Sequence, residues 1–544
     1  MSRFSQALRR LLNRTDSAPI KTRRYSVAIA PILAALTAVA ACVLQAAIYG
    51  VPIPAVHDEF SYILAADTFR HGRLTNPTHP MWQHFESMHI LQQPSYSSKY
   101  PPGQGAFLAL GWVIGGHPIV GVWLGIGLAA GAITWMLRAY LPATWALIGG
   151  IVAAFHLGFS GWGWSYWGGG VAAAGGALFL GAAARLMHKI RGRDAAVLAA
   201  GLVLLAVSRP FEGALLCMPV AGAMVLQAFR VRIWRVQIVQ FAVVPAVAIL
   251  VPAGAALAYF DARVTGNPLR LPYMEHSRQY AITPVLIFQK PMPEPEYRHP
   301  VLREFYTQEE YNTYLKEQSR EGWSLCVKAK LQMWWEIYLG YGLSLSLIFL
   351  PVVILLSRRT RFALTVCIFV LGFITLFETW GFTHYTAPVA GLVYLLAAQS
   401  LRCFSLLHWR GWQFGRFLVA GWVIICLIEP ALSLLPRYHD PSRDWAAARA
   451  AIERDLRSDG RQHLVIVRYG PNHSVHDEWV YNEADINSAT IVWAREMNPE
   501  KDAELLDYYA DRVVWLLDED GDAVHISKIR DSQTARIDLQ ARSD

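Results

Sequence analysis

The chain lacks a disulfide framework. Its 544 residues hold six cysteines, at 42, 217, 326, 367, 403 and 426, and only Cys326 falls in a polar outward segment. With no outward partner no covalent staple is expected, and with no CxxC spacing no cysteine metal or redox centre is expected either. No GxxxxGK[ST] run is present, which removes nucleotide hydrolysis at a phosphate loop. There is no sequence repeat of fixed period, and no small-residue cleavage site after a short apolar core, so the N-terminus is expected to stay attached. Charge is scarce as well: 17% of residues are charged, 54% are hydrophobic, and the mean hydropathy is +0.27. A soluble domain of this size does not need so much apolar sequence.

What is there is a series of long apolar runs. A helix crossing hydrocarbon needs about 20 such residues. The runs lie near 27–49, 105–138, 143–160, 170–187, 194–208, 211–229, 236–259, 337–357, 362–378, 384–401 and 416–435. In lipid the backbone must satisfy its own hydrogen bonds, so these are expected to be helices, about eleven crossings in all. Alternate connections are basic, beginning with Arg3, Arg9, Arg10, Arg14, Lys21, Arg23 and Arg24. Basic short loops stay in the cytoplasm, so the N-terminus is expected inside, with loops 51–103 and 260–335 and the tail facing outward. The net charge of +8 reflects this arrangement. Residues 436–544 carry 22 acidic and 14 basic side chains, and the rest carries 19 and 35. The basic surplus is a matter of topology, and no nucleic-acid partner is inferred from it.

Three parts are therefore expected: a basic cytoplasmic segment over 1–25, a helical membrane domain over 26–435, and a small extracytoplasmic α/β domain over 436–544. The Asp440-Pro441-Ser442 turn marks the last boundary. In the tail, 443–457 and 499–510 read as helices, while His463–Arg468, Thr490–Arg495, Arg512–Leu517 and Ala523–Ile529 read as strands. Its aromatic residues, Trp479, Trp493, Trp515, Tyr481, Tyr508 and Tyr509, are expected in a core rather than on a docking surface. Loop 260–335 is too long for a plain connection and is threaded with aromatics. A cover over a site at the bilayer surface and an interfacial aromatic belt are equally open readings of it.

Polar residues collect at the outer ends of these runs. Loop 51–103 gives Asp58, Glu59, Tyr62, Lys99 and Tyr100; later turns give Arg209 and Glu212, then Glu378, His384 and Tyr385. Ionisable groups next to hydrocarbon cost a few kcal/mol each unless paired, solvated or used. Each taken alone reads as a capping or snorkelling residue; the set on one face reads as a site. Five histidines, His57, His71, His79, His84 and His89, crowd the first loop. Their spacing lacks the short helical pattern of a zinc pair, so most are expected to be solvated.

Asp58-Glu59-x-x-Tyr62, then Ala66, Gly72 and Pro77, then Lys99-x-Pro101-Pro102, resembles the first outer loop of polytopic GT-C glycosyltransferases. The likeness points to the family that includes lipid A aminoarabinose transferases and protein O-mannosyltransferases. One residue separates Lys99 from the prolines. The resemblance implies a polyprenyl-phosphate-linked sugar as donor, with transfer to a glycan, lipid or protein acceptor of the cell envelope. It places the enzyme in the cytoplasmic (inner) membrane, with its site on the periplasmic or outer side. Asp58 is then the candidate base, with Glu59 beside it to orient the acceptor. A divalent cation, Mg or Mn, held by Asp58 and Glu59 is an open option. Lys99 and Arg209 are candidates for the donor phosphate, and Tyr62, Tyr100, Glu212, His384 and Tyr385 for substrate contacts. The competing class is a transporter or lipid flippase, which would want charged or broken helices at the bilayer midplane and often paired halves; neither pattern is present.

Overall fold

A computed structural model describes residues 24–408, 412–432, 444–521 and 523–531. Most of the basic segment 1–25 and all of the Asp440-Pro441-Ser442 turn lie outside the described residues. The chain is mostly helical. Among the described residues, seven helices are long and apolar enough to cross a membrane. They are eight if the bent pair Arg320–Tyr338 and Gly340–Leu355, which turn by 88°, is one span. The runs at 143–160, 170–187 and 194–208 are helical but short, at 16, 17 and 15 residues. Run 105–138 is two helices, Pro102–Gly115 and Ile119–Leu137.

Small residues set how closely these helices pack. A Cβ on Gly121 would stand 2.0 Å from the Phe107 carbonyl oxygen, so the two halves of 105–138 cross with backbones in contact. A Cβ on Gly176 would stand 1.9 Å from the Pro388 carbonyl oxygen, which seats helix Gly170–Leu186 against the turn Thr383–Val389. Close backbone approach through Gly and Ala is how helices associate where water gives no hydrophobic drive. Burial grades across the bundle. The window within Thr383–Phe404 is entirely buried, whereas that within Val243–Thr265 is 6% buried.

The outer layer is built differently. Strands β1 (Ile90–Leu91) and β2 (Ser97–Ser98) form a small antiparallel pair in the first loop. The C-terminal sheet holds β3 (His463–Tyr469), β4 (Ile491–Arg495), β5 (Val513–Asp520) and β6 (Ala523–Arg530) in the order β4-β3-β5-β6. β3 runs parallel to both β4 and β5, and β6 closes antiparallel on β5. The unbroken apolar run of β3 fits a strand covered on both faces. On one face Val465 and Val467 pack with Trp445, Trp479 and Trp493. On the other, Leu464, Ile466, Val492 and Val514 share a core with Leu64, Phe85, Ile90 and Tyr96 of the first outer loop. The tail aromatics therefore divide between two tasks. Trp479 and Trp493 are core residues, while the Tyr481 ring stacks on Phe60 at 4.2 Å.

Candidate active site

The first outer loop opens on helix His57–Arg70, which carries Asp58 and Glu59 in its first turn. Neighbouring residues on a helix point about 100° apart, so the two carboxylates cannot share a direction. Glu59 is fully buried. The Ala55 N–H donates to its Oε2 at 2.9 Å and the Tyr166 N–H to its Oε1 at 3.0 Å. Glu59 thus ties the start of the helix to the 160s turn, with both oxygens held by backbone. Asp58 turns the other way, its side chain a quarter exposed. The Tyr100 hydroxyl donates to Asp58 Oδ1, and His89 Nδ1 stands 3.6 Å from Oδ2.

One turn along the helix, Tyr62 lays its ring on Tyr100 at 4.2 Å. Tyr100 stands just before Pro101 and Pro102, where helix Pro102–Gly115 begins with its proline in the first turn. The Lys99 amine lies 5.3 Å from the centre of the Tyr100 ring. Among the described residues Lys99 makes no ion pair; its amine feels Glu310 and Asp58 at longer range.

Arg209 stands at the N-cap of helix Pro210–Arg230, again with a proline behind it. Its Nη1 is 3.5 Å from Glu212 Oε1, and its guanidinium carbon lies 4.4 Å over the Tyr385 ring. The Tyr385 ring is 4.9 Å from that of His384, which is buried against Trp167 at 5.3 Å. The Gly103 N–H donates to the Val207 carbonyl at 2.7 Å, which brings the first loop beside the turn that carries Arg209 and Glu212, and Arg209 in turn reaches Tyr385. Of the residues singled out in the sequence, Asp58, Tyr62, Lys99, Tyr100, Arg209, Glu212, His384 and Tyr385 meet there. Glu59 does not.

Charge in the cluster follows from burial and neighbours. Burial opposes ionisation of Asp58, but the His89 ring, the Lys99 amine and the Tyr100 hydroxyl outweigh it and hold the carboxyl well below the usual carboxylate range. Burial pulls Lys99 below the usual lysine value, against Glu310 and Asp58, which favour its charge. The Tyr100 hydroxyl is pushed well up by burial and then by Asp58, so it stays a donor. Glu59 has both oxygens on backbone N–H groups and points away from Asp58, so the two carboxylates do not form a shared pair for a divalent cation. Among the described residues no group of three His, Cys, Asp or Glu side chains is placed to hold a metal ion.

The histidines correct the expectation of solvated loop residues. His57, His79, His84 and His89 are all under 9% exposed. The C-terminal unit and loop 260–335 cover them. His57 Nδ1 is 2.9 Å from the Tyr481 hydroxyl, His79 Nε2 is 2.8 Å from Asn487 Oδ1, and His84 Nδ1 is 2.9 Å from the Arg495 carbonyl. From loop 260–335 come Tyr306, Glu310 and His276, which reach His89, so that loop does lie over the cluster. Sequence reasoning missed these partners. The one available signal was the density of histidines themselves.

No protein-family model and no curated protein matches this chain. Among solved structures it is similar to ArnT from Cupriavidus metallidurans bound to undecaprenyl phosphate. The two are 12% identical over 89% of this chain and 92% of that one, with a TM-score of 0.48. It is also similar to the Archaeoglobus fulgidus oligosaccharyltransferase. In the apo form the identity is 12% over 84% of this chain, with a TM-score of 0.43. In complex with zinc and sulfate the identity is 13% over 90% of this chain and 68% of that one, with a TM-score of 0.47. The chain spans 64% of the length of the apo archaeal enzyme. Both are GT-C superfamily members, the class that the first outer loop resembles.

Proposed function

We propose that the protein is a GT-C-type membrane glycosyltransferase. It moves a sugar from a polyprenyl-phosphate donor to an envelope glycan, lipid or protein acceptor, with inversion at the anomeric carbon. The observation that carries the reading is the Asp58 carboxylate, partly open, bonded to Tyr100 beside the Lys99 amine, with Arg209 on the turn that the Gly103 N–H joins to the same loop. In the proposed topology eleven segments cross the membrane, the N-terminus is cytoplasmic, and the cluster faces the periplasm or exterior.

The acceptor oxygen forms the new bond to the anomeric carbon, and its proton passes to Asp58. The bond from that carbon to the phosphate oxygen breaks, and the electron pair leaves on the lipid phosphate. Lys99 and Arg209 neutralise the departing charge, Arg209 with a planar fork and Lys99 as a point charge. Tyr62, Tyr100, Glu212, His384 and Tyr385 line the place where donor and acceptor meet. General-base help is typically worth about 10²–10⁴-fold. A carboxylate held as low as Asp58 is a weak base, so more of the acceleration falls to positioning and to the cations.

The test uses a strain lacking this protein. If the reading holds, a lipid-linked sugar accumulates and an envelope glycan loses one residue. Wild type restores both, and Asp58→Asn, inserted at the same level, restores neither. Full restoration by Asp58→Asn would remove the reading. Donor-free transport of a labelled polyprenyl phosphate across proteoliposomes that hold the protein, with no sugar moved, would favour a flippase instead.

A further inference from the structure

Resting on the glycosyl-transfer reading, we propose that His89 is a positioning residue of the reaction, its ring clamped between Asp58 and Glu310 so that the carboxylate is presented to the acceptor in one orientation. His89 is the single non-glycine residue with a positive φ, +63°, among the described residues. Positive φ is uncommon for a non-glycine residue, His, Asn and Asp being the side chains that adopt it most readily, and it persists where the surroundings hold it.

Here the surroundings are visible. The His89 carbonyl accepts from the Ser61 hydroxyl at 2.7 Å and from the Lys99 N–H at 3.2 Å. Its own N–H reaches the Tyr306 hydroxyl at 3.4 Å. These bonds tie helix His57–Arg70, strand-end Lys99 and loop 260–335 to one backbone unit. The strained backbone aims the ring inward. Nδ1 faces Asp58 Oδ2 at 3.6 Å and the Tyr100 hydroxyl at 3.2 Å, while Nε2 faces Glu310 Oε1 at 3.8 Å. Nε2 is buried and has no hydrogen-bond partner among the described residues. Both ring nitrogens face protein groups, so the part of His89 in the reaction runs through Asp58.

The groups facing the ring come from every element packed on it. Asp58 and His57 belong to the first helix, Lys99 and Tyr100 to the same loop, His276 to helix Pro272–Tyr280, and Tyr306 and Glu310 to the cover. Three segments far apart in sequence thus set the direction of one carboxylate.

The experiment replaces His89 by Asn, which tolerates the positive φ and removes the ring. His89→Gly, which adopts that backbone freely, is made beside it. Two readouts are taken. Transfer is measured in the deletion strain carrying each variant. The Asp58 carboxyl is titrated by difference infrared spectroscopy on the purified full chain, labelled at aspartate, with Asp58→Asn as the blank. The proposal expects transfer to fall roughly 10- to 100-fold in both variants, as for a misplaced catalytic group. It expects the Asp58 carboxyl to titrate at higher pH in both, because a partner that favours its charged form has gone. Glu310→Gln should lower transfer by less than either His89 variant. Wild-type transfer and an unmoved titration in His89→Asn and His89→Gly, with Asp58→Asn inactive, would overturn the role of His89 and leave the glycosyl-transfer reading standing. A fully active Asp58→Asn would remove both.

Discussion

The helical bundle and the layer above it hold together by opposite means. Inside the bundle, Gly121 meets Phe107 and Gly176 meets Pro388 backbone to backbone, and alanines fill the core around 129–132 and 172–177. In the outer layer, charges are buried and paired. Arg495 and Glu478 form a fully buried ion pair, and Arg495 also donates to the Glu86 carbonyl at 2.7 Å. His299 lies 2.7 Å from the Gln83 carbonyl and 3.6 Å from Glu86. Small residues give closeness without direction. Buried polar pairs are less forgiving, because one partner left alone costs more than the pair contributes. A reaction site needs direction, and the Asp58 cluster sits where the two regimes meet.

The largest expected effect comes from breaking a buried pair. Arg495→Ala should lose about 3–5 kcal/mol of outer-layer stability. Protease resistance of the C-terminal unit should fall while the bundle helices stay protected. Equal loss in both layers would break the contrast.

Acid should separate the layers next. Burial, then Arg495, pulls His299 down to about 3. A base whose folded pKa is depressed adds stability above its unfolded value near 6.5, and that stability is lost as pH falls toward 3. The unfolded chain binds the extra proton in that window, so the outer layer should weaken by up to a few kcal/mol there. His299→Gln should flatten this part of the curve, read by tryptophan fluorescence against pH.

Gly176→Ala tests the bundle. Its Cβ must displace the Pro388 carbonyl, at about 1–3 kcal/mol, and with it the turn that carries His384 and Tyr385. Transfer should fall while the C-terminal unit keeps its protease resistance. The smallest effect is expected at the exposed pair Arg303 and Glu294, 2.8 Å apart, where Arg303→Ala should change stability by less than about 1 kcal/mol.

Much of this was legible in the chain. Long apolar runs can only be satisfied as helices, and the strands of the C-terminal sheet fall within a residue or two of their apolar patterns, as with His463–Tyr469 and Ile491–Arg495. The convergence of Asp58, Lys99, Arg209 and Tyr385 followed from their shared place at the ends of runs. Glu59 faces away from Asp58 because its direction depends on where the helix begins. Once His57 is the first helical residue, Asp58 and Glu59 face different neighbours. His89 was misread for a different reason. Its cover comes from Tyr306 and Glu310, more than two hundred residues away, and no local pattern reports such partners.

The hydrogen bond between His57 and Tyr481 joins groups 424 positions apart. The loop that presents Asp58 is made early and its hydrophobic partners are made last. During synthesis the loop must wait, with Leu64, Phe85, Ile90 and Tyr96 unpaired, until the sheet arrives to meet them. A chain cut short before that sheet therefore leaves the ribosome without the partners that cover Leu64, Phe85, Ile90 and Tyr96.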